Sequence, residues 1–315
     1  MSLRPYYALS HVVSQILGRY LSVNVPVEHC SQRALFSSGE NGIEQWKRPD
    51  WDEFLRSERG KPSGLLPWLN LYMDRYDSQG ALLLTKLWFH LRWCRDEGAR
   101  YLLLCDPSYP EVLREIPQAP LALSVVGDLA VFAMPRVSVV GSRRTAQVAL
   151  QESYRVGFML SQLGVVVVSG GAYGCDIATH QGVLAAGGEP IPAIIAFANG
   201  LARLFPQGNR PTFNKIRDQG GLLVSERLWD QVPKPYDFPI RNRIISGLSM
   251  WTIVMGAAKQ SGAMVTARLA LDQGREVAVY VPAENRYFCE GCQNLVEDGA
   301  GSFGSAEEFC EQLRM

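Results

Sequence analysis

The sequence predicts a doubly wound α/β domain preceded by a smaller, mainly helical one. Three observations carry that prediction. From about residue 100 onward, short continuously apolar runs alternate with longer amphipathic segments. Glycine-rich turns come after several of those runs. Composition shifts near residue 98, because five of the seven tryptophans (Trp46, Trp51, Trp68, Trp88 and Trp93) fall before it. A chain of 315 residues is long enough for two domains. The expected boundaries are 1–98 and 99–315.

In the first part, Val12, Val13, Ile16, Leu17, Tyr20 and Leu21 recur at a helical period, and residues 82–93 form a second such run ending near Gly98. A polar, loop-rich stretch over residues 32–64 separates them. The tryptophans read as core more readily than as a binding surface.

Beyond residue 100, strands are expected at residues 137–140, 165–168, 191–196, 222–224, 252–255 and 277–281. These runs are apolar on both faces rather than alternating, which fits a parallel sheet covered by helices. Segments 146–163 and 177–186 suit crossover helices. Earlier runs at 101–105 and 121–126 extend the sheet. Ser305-Ala306-Glu307-Glu308 has capping-box spacing and predicts a short last helix, with no further domain expected after it.

Composition excludes several classes. The 47% hydrophobic content rules out disorder. There is no apolar run of about 18 residues and no signal-peptide core, so no membrane partner is expected. Seven scattered cysteines, an odd number, fit a cytoplasmic protein rather than a disulfide framework. The 31 basic residues balance 31 acidic ones, so any contact with nucleic acid must rest on a local patch. P-loop, nucleophile-elbow and zinc-protease motifs are missing. Cys289-x-x-Cys292, with only Cys310 near, lacks a clear fourth zinc ligand. No metal and no cofactor are expected.

Ligands of doubly wound sheets bind at the carboxyl ends of strands, so the residues just after each run matter most. After the first run stands Gly141-Ser142-Arg143-Arg144, a tight turn with a guanidinium that suits phosphate. Its alternative is a structural turn with a solvated arginine. The second leads into Ser169-Gly170-Gly171-Ala172-Tyr173-Gly174-Cys175-Asp176, whose spacing is not that of a dinucleotide fingerprint. Asp176 and His180 share a helix face, and a structural hydrogen-bonded pair is the favoured reading over a metal or acid–base site. After the third run, Arg203, Phe205 and Arg210 interleave charge with an aromatic ring, a pattern of phosphate contact plus base stacking or of an ordinary surface loop. The fourth ends at Ser225-Glu226, a carboxylate placed for a ribose or a basic side chain. Next comes Lys234-Pro235-Tyr236-Asp237-Phe238-Pro239-Ile240-Arg241-Asn242-Arg243, which suits stacked bases and a tracked backbone, or arginines that bridge their own loops. The fifth run leads to Ser261-Gly262, small residues opening a helix. Helix N-termini near Gly141, Gly170 and Ser261 are expected to converge on one crevice that takes a phosphate-bearing ligand.

The ordered set resembles one family. Val139-Val140-Gly141-Ser142-Arg143, Ser169-Gly170-x-Ala172-x-Gly174-x-Asp176-x-x-x-His180, Phe205-Pro206-x-x-Asn209, Ser225-Glu226, Phe238-Pro239-x-Arg241-Asn242-Arg243-Ile244-Ile245-Ser246-Gly247 and Ser261-Gly262-x-x-x-Thr266-Ala267 succeed one another as in the DNA-processing protein A family, also called Smf. Asp106-Pro107-Ser108-Tyr109-Pro110 and Gly127-Asp128-Leu129 resemble its lead-in. The similarity covers roughly residues 100–300. It implies an extended Rossmann-like domain, a homodimer, and single-stranded DNA binding without an enzymatic step. It further implies protection of incoming strands during natural transformation, loading of a RecA-type recombinase and displacement of single-strand-binding protein. By motif position, Arg143 grips a phosphate on a turn shaped by Gly141 and Ser142. Gly170 belongs to the same glycine-rich surface. Lys234 and Phe238 supply a cation and a stacking ring, and Arg241, Asn242 and Arg243 line or brace the pocket. Ser261 and Gly262 close it, and Lys215 matches a basic position more loosely. Departures from the family are Cys175 in place of isoleucine, Met255-Gly256-Ala257 without the usual glutamate, a loose match over residues 286–295, a first part without a counterpart, and no winged-helix module after the central domain. Two rival readings are an N-glycosidase of nucleoside monophosphates, for which Glu226 would have to serve as the acid, and a nucleotide-messenger sensor.

Overall fold

A computed structural model of the chain describes residues 89–90, 92–104, 106–284 and 289–313. The helical run expected over residues 12–21, the polar stretch and four of the early tryptophans lie outside the described residues. Two compact units divide the chain: described residues up to Pro107 join Leu121–Ser124 in one, while Ser108–Pro120 and Val125–Met315 form the other.

In the first unit, residues 89–90 and 92–96 are helical. It holds the strand β1 (Arg100–Leu103) and the first three residues of β2 (Ala122–Val126), and these two strands are neighbours. Their packing centres on His90, fully buried, with its Nε2 3.1 Å from the Ser124 hydroxyl and the Tyr101 ring edge-on at 4.8 Å.

The second unit begins with a short helix, α1 (Glu111–Arg114). Its sheet comprises β3 (Arg136–Val140), β4 (Val166–Ser169), β5 (Ala193–Phe197), β6 (Leu222–Ser225), β7 (Trp251–Val254), β8 (Glu276–Tyr280) and β9 (Gly301–Phe303). They lie side by side in the order β6-β5-β4-β3-β7-β8-β9, every neighbouring pair parallel. The connecting helices are α2 (Gln147–Gln162), α3 (Cys175–Ala186), α4 (Arg210–Asp218), α5 (Asp237–Gly247), α6 (Gly262–Asp272) and α7 (Glu290–Glu297), and α8 (Ala306–Gln312) comes after β9. One group of helices packs as α2 with α3 and α8, and α3 with α4; α5 and α6 pack against each other as a second group. This is the doubly wound, Rossmann-like order expected from the sequence.

The strands form where they do because their residues are β-branched and buried on both sides. Val166, Val167 and Val168 have no exposed surface, nor do Ile194 and Ile195. Each such side chain contributes roughly 1.5–3 kcal/mol of transfer free energy, set against the entropy of ordering the chain. The helices of the first group approach closely through glycine. A Cβ on Gly182 would stand 1.9 Å from the Tyr154 carbonyl oxygen, and one on Gly157 would stand 2.0 Å from that of Thr179. At α8, Ser305 accepts a hydrogen bond from the Glu308 N–H at 3.2 Å, the capping expected from its spacing.

Strand order runs outward from β3 through β4, β5 and β6, then resumes on the other side of β3 with β7. The reversal lies between β3 and β7. The carboxyl ends of these two strands therefore form the switch point at which doubly wound sheets place their ligand crevice. Three details differ from the sequence reading. Strand β9 was not expected; it has three residues and two of them, Gly301 and Ser302, have little strand preference. Gly141 and Gly170 do not open helices. Loops of several residues come after them, and α2 and α3 begin at Gln147 and Cys175.

Candidate functional site

The loop after β3 carries Arg143 into solvent, and its guanidinium carbon sits 5.6 Å from the centroid of the Phe238 ring. That distance is within the range of a cation–π contact. The loop is held by close packing. A Cβ on Gly141 would meet the Cys175 sulfur at 2.6 Å. Gly174, at φ +84°, lets the loop after β4 turn directly beneath Ser142 and Arg143, with only 2.2 Å between the Ser142 oxygen and a Cβ built there.

Helix α5 organises the rest. Phe238, Arg241 and Asn242 are spaced three and four residues apart, so they share one helix face. Phe238 is half-buried toward Arg143. Arg241 is buried, and its guanidinium donates to the carbonyls of Gly170, at 3.2 Å, and Ala196. It thereby ties α5 to the carboxyl ends of β4 and β5. The approach requires glycine at 170, where a Cβ would lie 2.7 Å from an Arg241 nitrogen. Asn242 donates to the Gly262 carbonyl at 3.3 Å and so fixes the head of α6. Arg243 faces elsewhere: it pairs with Glu226 at 2.7 Å and donates to the Gln118 and Ile240 carbonyls. Arg241 and Arg243 therefore act as braces, the first through its Nη1 and the second through all three of its nitrogens.

Burial pushes the Arg241 guanidinium down to about 10; the nearby Asp176 carboxylate opposes that shift and Arg143 reinforces it. Asp176 is buried, which pushes its carboxyl up, against the Ala172 N–H and the Arg241 charge that favour the anion. The expected Asp176–His180 hydrogen bond does not form. Asp176 turns to the loop backbone, accepting from the Ala172 N–H at 3.2 Å. Both His180 ring nitrogens are buried without a hydrogen-bond partner, and burial pushes the ring down to about 3. His180 is thus a neutral core residue and not a proton carrier at ordinary pH.

Lys234 is exposed, and its N–H donates to the Asp237 carboxylate at 2.8 Å. Asp237 has no exposed surface and pairs with Arg227 at 2.9 Å. This buried pair holds the segment that presents Lys234 and Phe238. Sequence reasoning missed it, because nothing in its spacing separates it from a surface pair. Ser261 uses its hydroxyl to cap α6, accepting from the Met264 N–H at 3.4 Å. Ser142 is likewise engaged, donating to the Arg144 carbonyl at 2.7 Å. Lys215 stands apart. It is exposed in the last turn of α4, a helix that leaves the carboxyl end of the sheet at Arg210, and five residues of helix carry it roughly 7 Å away from that start.

Three thiols underlie the crevice. Cys175 packs against Gly141, and the Cys289 sulfur would stand 3.9 Å from a Cβ on Gly256. Burial pushes Cys175 up to about 11 and Cys292 up to about 12. Among the described residues, no group of three or more His, Cys, Asp or Glu side chains is arranged to hold a metal ion. None of their helices is long and apolar enough to cross a membrane.

Comparison with known proteins decides what this geometry belongs to. The family model of DNA recombination-mediator protein A matches residues 100–314. The chain belongs to that family. Protein Smf of Escherichia coli is 37% identical over 224 residues, which cover 71% of this chain and 59% of Smf. DNA processing protein DprA of Bacillus subtilis is 31% identical, with coverage of 70% and 73%. The chain spans only about 59% and 55% of the lengths of the Smf proteins of E. coli and Synechocystis. Two solved structures share the fold. DprA of Streptococcus pneumoniae superposes with a TM-score of 0.63 at 30% identity, covering 73% of this chain and 81% of that one. DprA of Helicobacter pylori, studied for its single-stranded DNA binding mode, gives 0.61 at 28%, with coverage of 68% and 95%.

Against these members of the DNA recombination-mediator protein A family, the departures noted in the sequence acquire a setting. Cys175 fills the space under Gly141 as a small apolar residue. The run Met255-Gly256-Ala257 is buried, leaving an apolar floor at the end of β7 where a carboxylate was expected.

Proposed function

We propose that the crevice at the β3/β7 reversal binds single-stranded DNA. One observation carries the reading: the exposed Arg143 guanidinium over the Phe238 ring, at the strand-order reversal of a doubly wound sheet. A phosphate takes the fork of Arg143 and an unpaired base takes the adjoining ring. Gly141, Ser142, Gly170, Ser261 and Gly262 shape the walls, Asn242 with Arg241 and Arg243 hold them in place, and Lys234 adds charge at the rim. Lys215 adds to the field rather than to the contact. The Helicobacter pylori relative, studied for this same kind of binding, supports the reading.

The role is one of binding, without a chemical step. Glu226, the acid a glycosidase would need, is ion-paired with Arg243 at 2.7 Å, and Asp176 is enclosed by loop N–H groups. The wider role we propose is protection of single strands and delivery of a RecA-type recombinase to them in place of single-strand-binding protein, by a cytoplasmic homodimer. Residues 1–98 are proposed as a separate domain.

The experiment is substitution of the contact residue. Arg143→Ala, being exposed, leaves thermal stability unchanged and weakens binding to a fluorescent single strand by about tenfold or more, as for loss of a charged hydrogen bond worth ~1.5–3 kcal/mol. Unchanged binding would remove Arg143 from the site. Steady release of free base from nucleoside monophosphates, abolished by Glu226→Ala, would instead establish the enzyme.

A further inference from the structure

Beside the Arg143–Phe238 pair stand two aromatic rings that the fold holds open to solvent. Phe205 is 43% exposed and Tyr173 is 49% exposed. Their positions are built rather than incidental. The Phe205 ring lies 6.1 Å from that of Phe238, tilted by 58°. Tyr173 lies over Gly208, where a Cβ would stand 2.7 Å from its hydroxyl oxygen and 3.2 Å from its ring. The two loops that carry these rings are locked together: Asn209, itself buried, donates to the Gly171 carbonyl at 3.0 Å. Tyr173 also precedes Gly174, whose backbone packs under Arg143. Arg143, Phe238 and Phe205 thus succeed one another, and Tyr173 stands on a loop tied to that of Phe205.

Basic residues flank these rings. Arg144, Arg203 and Arg210 are exposed, and none of them appears in an ion pair among the described residues. Arg210 spends its Nε on the Leu204 carbonyl at 3.1 Å, which fixes its direction and leaves its terminal nitrogens for other partners. Exposed rings beside unpaired guanidinium groups are what successive nucleotides of a single strand require.

We infer that Phe205 and Tyr173 form a second base-stacking subsite, taking the nucleotide next to the one held by Arg143 and Phe238. The inference rests on the single-strand reading of that first site. It also accounts for strand preference. Stacked bases in a duplex rise by ~3.4 Å, whereas the Phe238 and Phe205 rings are 6.1 Å apart and tilted. Two bases on two such rings must be unstacked from each other, as a single strand permits and a duplex does not.

The test compares wild type with Phe205→Ala, Tyr173→Ala and Arg143→Ala by anisotropy of labelled oligothymidylates across a salt series. Stacking is worth about 5- to 150-fold per base. The expected result is a loss in that range for Phe205→Ala, and a smaller loss for Tyr173→Ala, with unchanged dependence on salt because no phosphate contact is removed. Arg143→Ala instead reduces the salt slope by about one contact. Phe205→Trp retains the platform, binds as wild type and adds an emission that the bound strand quenches. If Arg143→Ala weakens binding but Phe205→Ala does not, the second subsite is refuted and the first site stands. If Phe205→Ala also lowers the salt slope, its ring acts by placing Arg143 and the stacking assignment is wrong. If Arg143→Ala has no effect, the first-site reading fails and takes this inference with it.

Discussion

Arg143 and Arg241 show how position divides identical side chains between contact and support. One is exposed on a loop; the other is buried and ties three elements together. Spacing alone placed both near the crevice and could not tell these roles apart, because a guanidinium suits a phosphate and a carbonyl equally. The same holds for Arg243, which the motif grouped with the pocket and the fold directs to Glu226. His180 makes the opposite point: it shares a helix face with Asp176, yet the aspartate finds a nearer donor in the loop backbone. The cysteines give a prediction at this scale. Burial favours the neutral thiol, so Cys175 and Cys292, at about 11 and about 12, carry almost no thiolate at neutral pH. Thiol labelling of the native protein at pH 7.5, read by peptide mass spectrometry, leaves both unmodified until the chain is unfolded or the pH approaches those values. Labelling of Cys175 at the rate of a free thiol would show that the floor beneath Gly141 opens readily.

Helix α5 and the segment before it form the element on which the site depends. Phe238, Arg241 and Asn242 lie on one face of this helix; the sequence singled them out by residue type and motif order, together with Arg243, but not by a helical spacing. What anchors the segment was not legible in the sequence. The Arg227–Asp237 pair joins residues ten apart in sequence across a loop, and only the folded chain shows that its carboxylate is buried. Asp237→Ala leaves Arg227 without its partner and frees the Lys234 N–H, at a cost of about 3 kcal/mol. Urea unfolding measures the loss, and binding to single strands weakens with it as Phe238 loses its fixed place. Asp237→Asn, which keeps an acceptor for the Lys234 N–H, falls between the two. A variant as stable as wild type would make the pair incidental. The parallel strands were legible for a simpler reason: each is apolar on both faces and so stands out from its surroundings. β9, with glycine and serine at two of three positions, lacks that signal.

At the scale of the whole molecule, the sheet brings together residues that are far apart in sequence. The loops after β3, β4 and β5 meet at one end of the sheet because these three strands are parallel neighbours, and the head of α5 is tied to the same end through Arg241. Equal numbers of acidic and basic residues leave the chain with no net charge, so the DNA binding we propose rests on a local patch, which we assign to this rim. The number of phosphates it neutralises is then small and countable. The direct test is a salt titration of binding to a fluorescent single-stranded oligonucleotide, with a duplex of equal length as competitor. Salt-sensitive binding that the duplex fails to displace is the predicted result, with a logarithmic slope matching a few phosphate contacts. Absence of binding at low salt, or equal competition by the duplex, would contradict the assignment of this crevice to single-stranded DNA.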